Sequence, residues 1–424
     1  MTKTVRKTTL DNGVRIITKR IPHVRSIAMG IWVAVGARDE KPEENGLSHF
    51  IEHMLFKGTK TRSAYQIAKE FDAIGGQSNA FTSAEYTCYH ARVLDEHLET
   101  MVSILSDIYL NSEFSQVEVD NERPVILSEI SMVEDSPEEY IHTLLEENFW
   151  ADHALGRSIL GTRETVSSFD ADRIRSYFRT HYTPGNTIIS AAGNVDHDRL
   201  VDLLATAFSA LPSGGTLPSR IAPGVNVHTR LYKKKLEQVH MCLAMNGLSL
   251  VHPDRFAASL LNTLLGGNMS SRLFQEIREK RGLAYSIYSF SALNVDSGLF
   301  GVYTGVAPEN VDTSLSLILA ELSRICESTV GADELSDAKE FTKGNILLGS
   351  ENTENQMVRL AQNEIQFGRH IPVEETLEKI SHVTVEDVQR TAVHLFRTGR
   401  PSLTLLGPCK NKKQLDRILD SFSA

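Results

Sequence analysis

The stretch Gly46-Leu-Ser-His-Phe-Ile-Glu-His-Met-Leu-Phe-Lys-Gly58 decides how this chain is read. Its apolar positions, Leu47, Phe50, Ile51, Met54 and Leu55, suit the buried face of a helix. At 3.6 residues per turn, His49 and His53 stand roughly 40° apart around that helix, and Glu52 lies on the same side. Two imidazoles four residues apart can grip one zinc ion, and a carboxylate between them is placed to take a proton from a water on the metal. An amphipathic helix with two histidines on its polar face and no metal has the same letters, so the motif calls for a third ligand.

Outward from it, Asn121-Glu-Arg-Pro-Val-Ile-Leu-Ser-Glu129 places Glu122 and Glu129 seven residues apart, on one helical face two turns apart. Hydrolytic zinc sites usually take three protein ligands and keep a fourth position open. Glu129 completes a His/His/Glu set, and Glu122 then sits one shell out, hydrogen-bonding a ligand or the water. Spacing alone does not choose among the nearby acids Glu134, Asp135, Glu138 and Glu139, all of which fit an exposed acidic face. Pro124, between the two glutamates, lacks an amide donor and tends to kink a helix, which bears on where Glu122 points. A mixed imidazole/carboxylate set suits zinc, although manganese or cobalt can enter such sites.

A chain of 424 residues is long for one ordinary domain and suits two of roughly 200. Its 41% hydrophobic and 23% charged content is that of a soluble globular protein. A net charge of −10 gives no sign of nucleic acid or an anionic membrane surface as a partner. Cys88, Cys242, Cys326 and Cys409 form no C-x-x-C pair, so packed thiols in a reducing compartment are expected rather than disulfides or a cysteine-zinc site. The opening residues lack the apolar segment of a secretory signal, and no stretch approaches about 18 apolar residues. The expectation is a cytoplasmic protein with no membrane span.

From Ser209 to about Leu236 the composition turns to Pro, Gly, Ser and charge, which reads as a linker. The expected division is a domain over 1–212, a linker over 213–236 and a second domain over 237–424. The two parts echo each other, each an α+β domain. Each opens with apolar strand-like residues (26–35; 240–246), passes to an apolar helix and a capped helix (from Ser168; from His382), and closes on a strand (186–193; 401–407). Sliding one onto the other by about 210 residues sets Ser259 opposite His49, Asn262 opposite Glu52, Thr263 opposite His53 and Asn345 near Glu129. Only the first copy therefore keeps metal-binding residue types.

The order H-x-x-E-H, then Glu129 76 residues after His53, with Glu122 seven residues before it, resembles the pitrilysin/insulinase family of zinc peptidases. So do Leu10-Asp-Asn-Gly-Val-Arg15, Gly36-Ala-Arg-Asp-Glu40, Gly75-Gly-Gln-Ser-Asn-Ala-Phe-Thr-Ser-Ala-Glu85 and Ser271-Arg-Leu-Phe-Gln-Glu-Ile-Arg-Glu-Lys-Arg-Gly-Leu-Ala-Tyr285. The likeness covers nearly the whole chain and is nearest to the short-chain branch containing the mitochondrial processing peptidase β subunit and its bacterial relatives. It implies two homologous α+β domains, each a mainly antiparallel β-sheet flanked by helices, pairing with a second chain as a clamshell, most simply a homodimer. It implies one zinc ion per chain held by His49, His53 and Glu129, with Glu52 as general base and Glu122 in support. The substrate, a short or unfolded polypeptide, is then an added β-strand along Asn79, Ala80 and Phe81. Phe56 matches an apolar pocket wall, and Arg278 and Tyr285 match a pair that stabilises the oxyanion from the second domain. Glu139 matches an acid that meets basic residues upstream of the cut, but its expected companion is here Thr143. A structural subunit of the same fold without catalysis is the rival reading. Among enzymes, leader processing stands against oligopeptide degradation.

Overall fold

The computed structural model describes residues 5–216, 218–409 and 411–423. Residues 1–4, Leu217, Lys410 and Ala424, which the expected domains and linker include, lie outside the described residues.

Two sheets form among the described residues. The first runs in the order β1 (Val5–Thr9), β2 (Arg15–Arg20), β6 (Thr187–Gly193), β3 (Ser26–Val33), β5 (Thr87–Leu94), β4 (Gln77–Thr82). The second runs β7 (Thr229–Lys233), β11 (Ser402–Gly407), β8 (Val239–Asn246), β10 (Gly298–Val306), β9 (Ala284–Leu293). Apart from the extra strand β1, the orders are the same. The senses agree too: β2 is parallel to β6 as β7 is to β11, and every other adjacent pair in the two five-strand sets is antiparallel. The internal repeat is thus a repeat of topology.

Strand β3 shows why its sequence is apolar throughout. Ile27, Met29, Ile31 and Val33 point into one cluster, while Ala28 and Trp32 point into another on the opposite face. A sheet buried on both faces needs near-continuous apolar strands. The opposite face is covered by the helix Thr353–Phe367, which brings Met357, Leu360 and Ala361 against Trp32, Cys88 and Ile188. Gly30 allows this approach: a Cβ there would lie 2.8 Å from Met357 Sδ and from Trp32 Nε1. The second sheet is treated in the same way, with the helix Pro137–Phe149 packed on β8 and β11.

Each covering helix comes from the other half of the sequence. The first compact unit is 1–131, 157–220 and 348–370, and the second is 132–156, 221–347 and 371–424. The contiguous halves 1–212 and 237–424 therefore differ from the compact units by two exchanged segments. The physical reason is the need to cover the second face of each sheet, which neither half does with its own helices alone.

The helix Leu47–Met54 buries Leu47, Phe50, Ile51 and Met54 in the first unit's main cluster. Full burial of a side chain such as Phe50 contributes about 1.5–3 kcal/mol. Its amino end is closed by a side chain well upstream: the Glu40 carboxylate accepts from the amides of Gly46 (2.8 Å) and Ser48 (2.7 Å). Gly46 takes φ 98°, a conformation that favours glycine.

Candidate metal centre and active site

The buried face of the Leu47–Met54 helix fixes its direction, and its other side then presents His49, Glu52 and His53. The facing helix, Gln116–Asp135, carries Glu122 and Glu129. Pro124 lies inside that helix without ending it, and Glu122 is buried beside His53. The kink expected at Pro124 does not turn Glu122 away.

Glu129 Oε2 stands 3.5 Å from His49 Nε2 and 3.6 Å from His53 Nε2, and the two imidazole centroids are 4.7 Å apart. The three ligand atoms lie within 4.8 Å of one another, and no other such group occurs among the described residues. Ligands bound at 2.0–2.1 Å in a tetrahedron stand roughly 3.3 Å from each other. The set present therefore fits a zinc ion with little adjustment. Glu134, Asp135, Glu138 and Glu139, which spacing left open, are not in this group.

His53 Nδ1 is 2.8 Å from Glu122 Oε1, and Lys57 Nζ is 2.5 Å from Glu122 Oε2. The Glu122 carboxylate thus accepts the Nδ1 proton, so that Nε2 becomes the free lone pair on the Glu129 side only when the ring gives up its second proton. Burial pulls the His53 pKa down, but hydrogen bonds to Glu122 and Glu129 outweigh it and carry the ring up to about 9. His49 goes the other way, lowered by burial and by the neighbouring His53 ring, so it is neutral and ready to coordinate. Its Nδ1 is buried with no hydrogen-bond partner among the described residues. Glu129 is held below the ordinary carboxylate range, chiefly by its hydrogen bond with His53.

Glu52 is raised by burial, partly offset by the Thr82 hydroxyl, which donates to Oε2 at 2.6 Å. Thr82 ends β4, the edge strand that also carries Asn79, Ala80 and Phe81. Asn79 is exposed, Ala80 packs toward the main cluster, and Phe81 turns to the opposite face, 5.5 Å from the Trp32 ring. Phe56 sits in the turn after the zinc-motif helix, half-buried, with its ring 6.4 Å from that of Tyr89.

The remaining candidates lie in the second unit. The Arg278 guanidinium, in the short π-helical segment Phe274–Glu279, sits 4.6 Å from the Phe274 ring centre and 4.8 Å from that of Tyr285. Tyr285 is the second residue of β9 and is 79% exposed. Glu139 is exposed on the helix Pro137–Phe149. At the repeat position of the zinc helix stands Arg255–Gly266, where Thr263 Oγ1 is 3.3 Å from Thr342 Oγ1. Neutral hydroxyls meet there instead of ligands.

Sequence reading missed Lys57 and Thr82. Lys57 follows His53 by four residues within the quoted motif, a spacing that could have flagged it. Nothing local links Thr82 to Glu52; only the folded sheet brings them together.

Comparison with known proteins bears on the family of the chain. Residues 15–163 match the family model "Insulinase (Peptidase family M16)", and residues 168–341 match "Peptidase M16 inactive domain". An uncharacterized zinc protease of Streptomyces coelicolor is 44% identical over 99% of this chain and 93% of its own length. One from Bacillus subtilis is 40% identical over 96% of this chain and 99% of its own. The crystal structure of a protease from Helicobacter pylori superposes with a TM-score of 0.89 at 21% identity, covering 95% of this chain and 99% of that one. A Pseudomonas fluorescens structure titled as a peptidase M16 inactive domain gives 0.89 at 19%, covering 97% and 100%. Matched over most of its length by the family models and along nearly all of it by relatives, the chain belongs to the insulinase family of peptidases, M16.

Proposed function

We propose that this protein is a zinc endopeptidase acting on short or unfolded polypeptides, with one zinc ion per chain held by His49, His53 and Glu129. The observation that carries the reading is the convergence of three ligand atoms within 4.8 Å, with Glu122 on the outer nitrogen of one of them and Glu52 on the same helix, in electrostatic contact with His53 and Glu129. When bound, zinc supplies Lewis-acid polarisation and makes water a better nucleophile at neutral pH. Glu52 accepts the proton of the attacking water and passes it to the departing amine. Glu122, neutralised in part by Lys57, keeps His53 in the tautomer that coordinates. Substrate adds as a further strand along the free edge of β4, where backbone pairing tolerates many sequences, and Phe56 forms part of the wall near the cut.

Arg278 and Tyr285 are assigned to the oxyanion, acting on the zinc site of a second copy in a homodimer. An exposed tyrosine held against an arginine suits contact with groups from outside its own unit. Glu139 alone, without its companion, favours degradation of mixed peptides over arginine-directed leader processing. We place the protein in the cytoplasm, where its four buried free thiols are stable. No described helix is long and apolar enough to cross a membrane.

The test is Glu52→Gln. Peptide cleavage should fall by several orders of magnitude while zinc content stays at one per chain. A purified wild-type chain that holds zinc but cleaves no peptide would instead favour the non-catalytic subunit, the reading that the inactive-domain match keeps in play.

A further inference from the structure

A glutamate side chain ends in a carboxylate whose last torsion is soft, so a general base keeps its aim only if something holds one of its oxygens. At Glu52 that holder is visible. The Thr82 hydroxyl lies 2.6 Å from Glu52 Oε2, the length of a charge-assisted hydrogen bond. Thr82 makes this contact from a distinctive place. It is the last residue of the edge strand β4, paired with Thr87 across β5, and side chains alternate so that Phe81 packs away while Ala80 and Thr82 face the zinc-motif helix.

The two ends of β4 differ. Gln77, Ser78 and Asn79 are exposed at one end. At the other, the turn after Thr82 is pinned from several sides. The Ser83 amide donates to Tyr86 O (2.8 Å), Ala37 N donates to Ser83 O (3.1 Å) and Arg38 N to Ala84 O (2.8 Å). Arg220 Nη2 donates to Glu85 O at 2.7 Å. The strand thus offers open backbone at its start and a fixed hydroxyl at its end.

We propose that Thr82 is a positioning residue for Glu52, tying the orientation of the base to the strand on which substrate is added. This rests on the reading of Glu52 as general base and of β4 as the substrate edge. With Oε2 engaged by the hydroxyl, the other carboxylate oxygen is left to accept the proton. Substrate pairing along β4 and the aim of the base are then properties of one strand.

The test uses the full chain and a short unstructured fluorogenic peptide. Thr82→Val keeps the shape and removes the donor; the expected result is a fall in kcat of about 10- to 100-fold, with KM and zinc content unchanged. Thr82→Ser should restore most of the rate. Thr82→Ala against Thr82→Ser repeats the comparison with smaller side chains should the valine variant not fold. Wild-type kcat in the valine and alanine variants, or a serine variant as slow as they are, overturns the proposal. Glu52→Gln run alongside separates the two levels: activity retained there refutes the base assignment, whereas its loss beside an unaffected Thr82→Val refutes only the role of Thr82.

Discussion

At His53 one ring serves two carboxylates, and in the proposed zinc site that competition sets the pH dependence of metal binding. In the metal-free chain its hydrogen bonds keep the ring protonated up to about pH 9. Only neutral imidazole coordinates, so binding must expel this proton. Apparent zinc affinity is therefore lower at neutral pH, rises with pH and levels off above about 9, which chelator competition across the alkaline range would measure. Replacing Glu122 by Gln removes the stronger acceptor from Nδ1. The levelling point should move to lower pH, and affinity on the plateau should fall about 10- to 100-fold. A plateau unmoved by that change would contradict the arrangement seen at Nδ1. His49, Glu52 and His53 were legible in sequence because a helix converts spacing directly into a shared face. Thr82 was not, because its partner is 30 residues away and on another element.

The helices that complete the sheets carry a prediction of their own. Met357 comes from the second half of the chain but is fully buried beside Trp32 and Cys88 on the first sheet. Met357→Ala should destabilise by about 2–5 kcal/mol through the lost contacts and the cavity left behind. Hydrogen exchange should locate the effect, with protection falling in β2, β3 and β6 and holding in β8 and β11. Equal loss in both sheets would contradict the assignment of this helix to the first unit. A second element-scale test concerns Arg220, in the expected linker. It makes a two-pronged ion pair with the buried Asp39 at 2.8 and 2.9 Å. Arg220→Ala leaves that carboxylate short of its partner, and about 3 kcal/mol of stability should go with it, read as a lower midpoint in urea.

For the whole molecule, the proposed shared site makes a prediction that single chains cannot satisfy. Chains carrying Glu52→Gln and chains carrying Arg278→Ala should each be inactive, and mixing them should restore part of the activity by pairing an intact zinc site with an intact arginine. No recovery on mixing, with measured mass showing that mixed dimers form, would confine the site to one chain. The repeat was visible in the sequence because apolar strands and caps recur in the same order in both halves, and Ser259, Asn262 and Thr263 set non-ligand residue types in the second copy. The exchange of 132–156 and 348–370 left no such trace, since an apolar helical face reads the same whichever sheet it covers. The sequence by itself determined the candidate ligand types, the helix that displays them and the duplicated layout, because these follow from local periodicity. Which acid faces the histidines, which hydroxyl holds Glu52 and which helix covers each sheet were decided only by tertiary structure, because side chains distant along the chain meet only after the sheets have assembled.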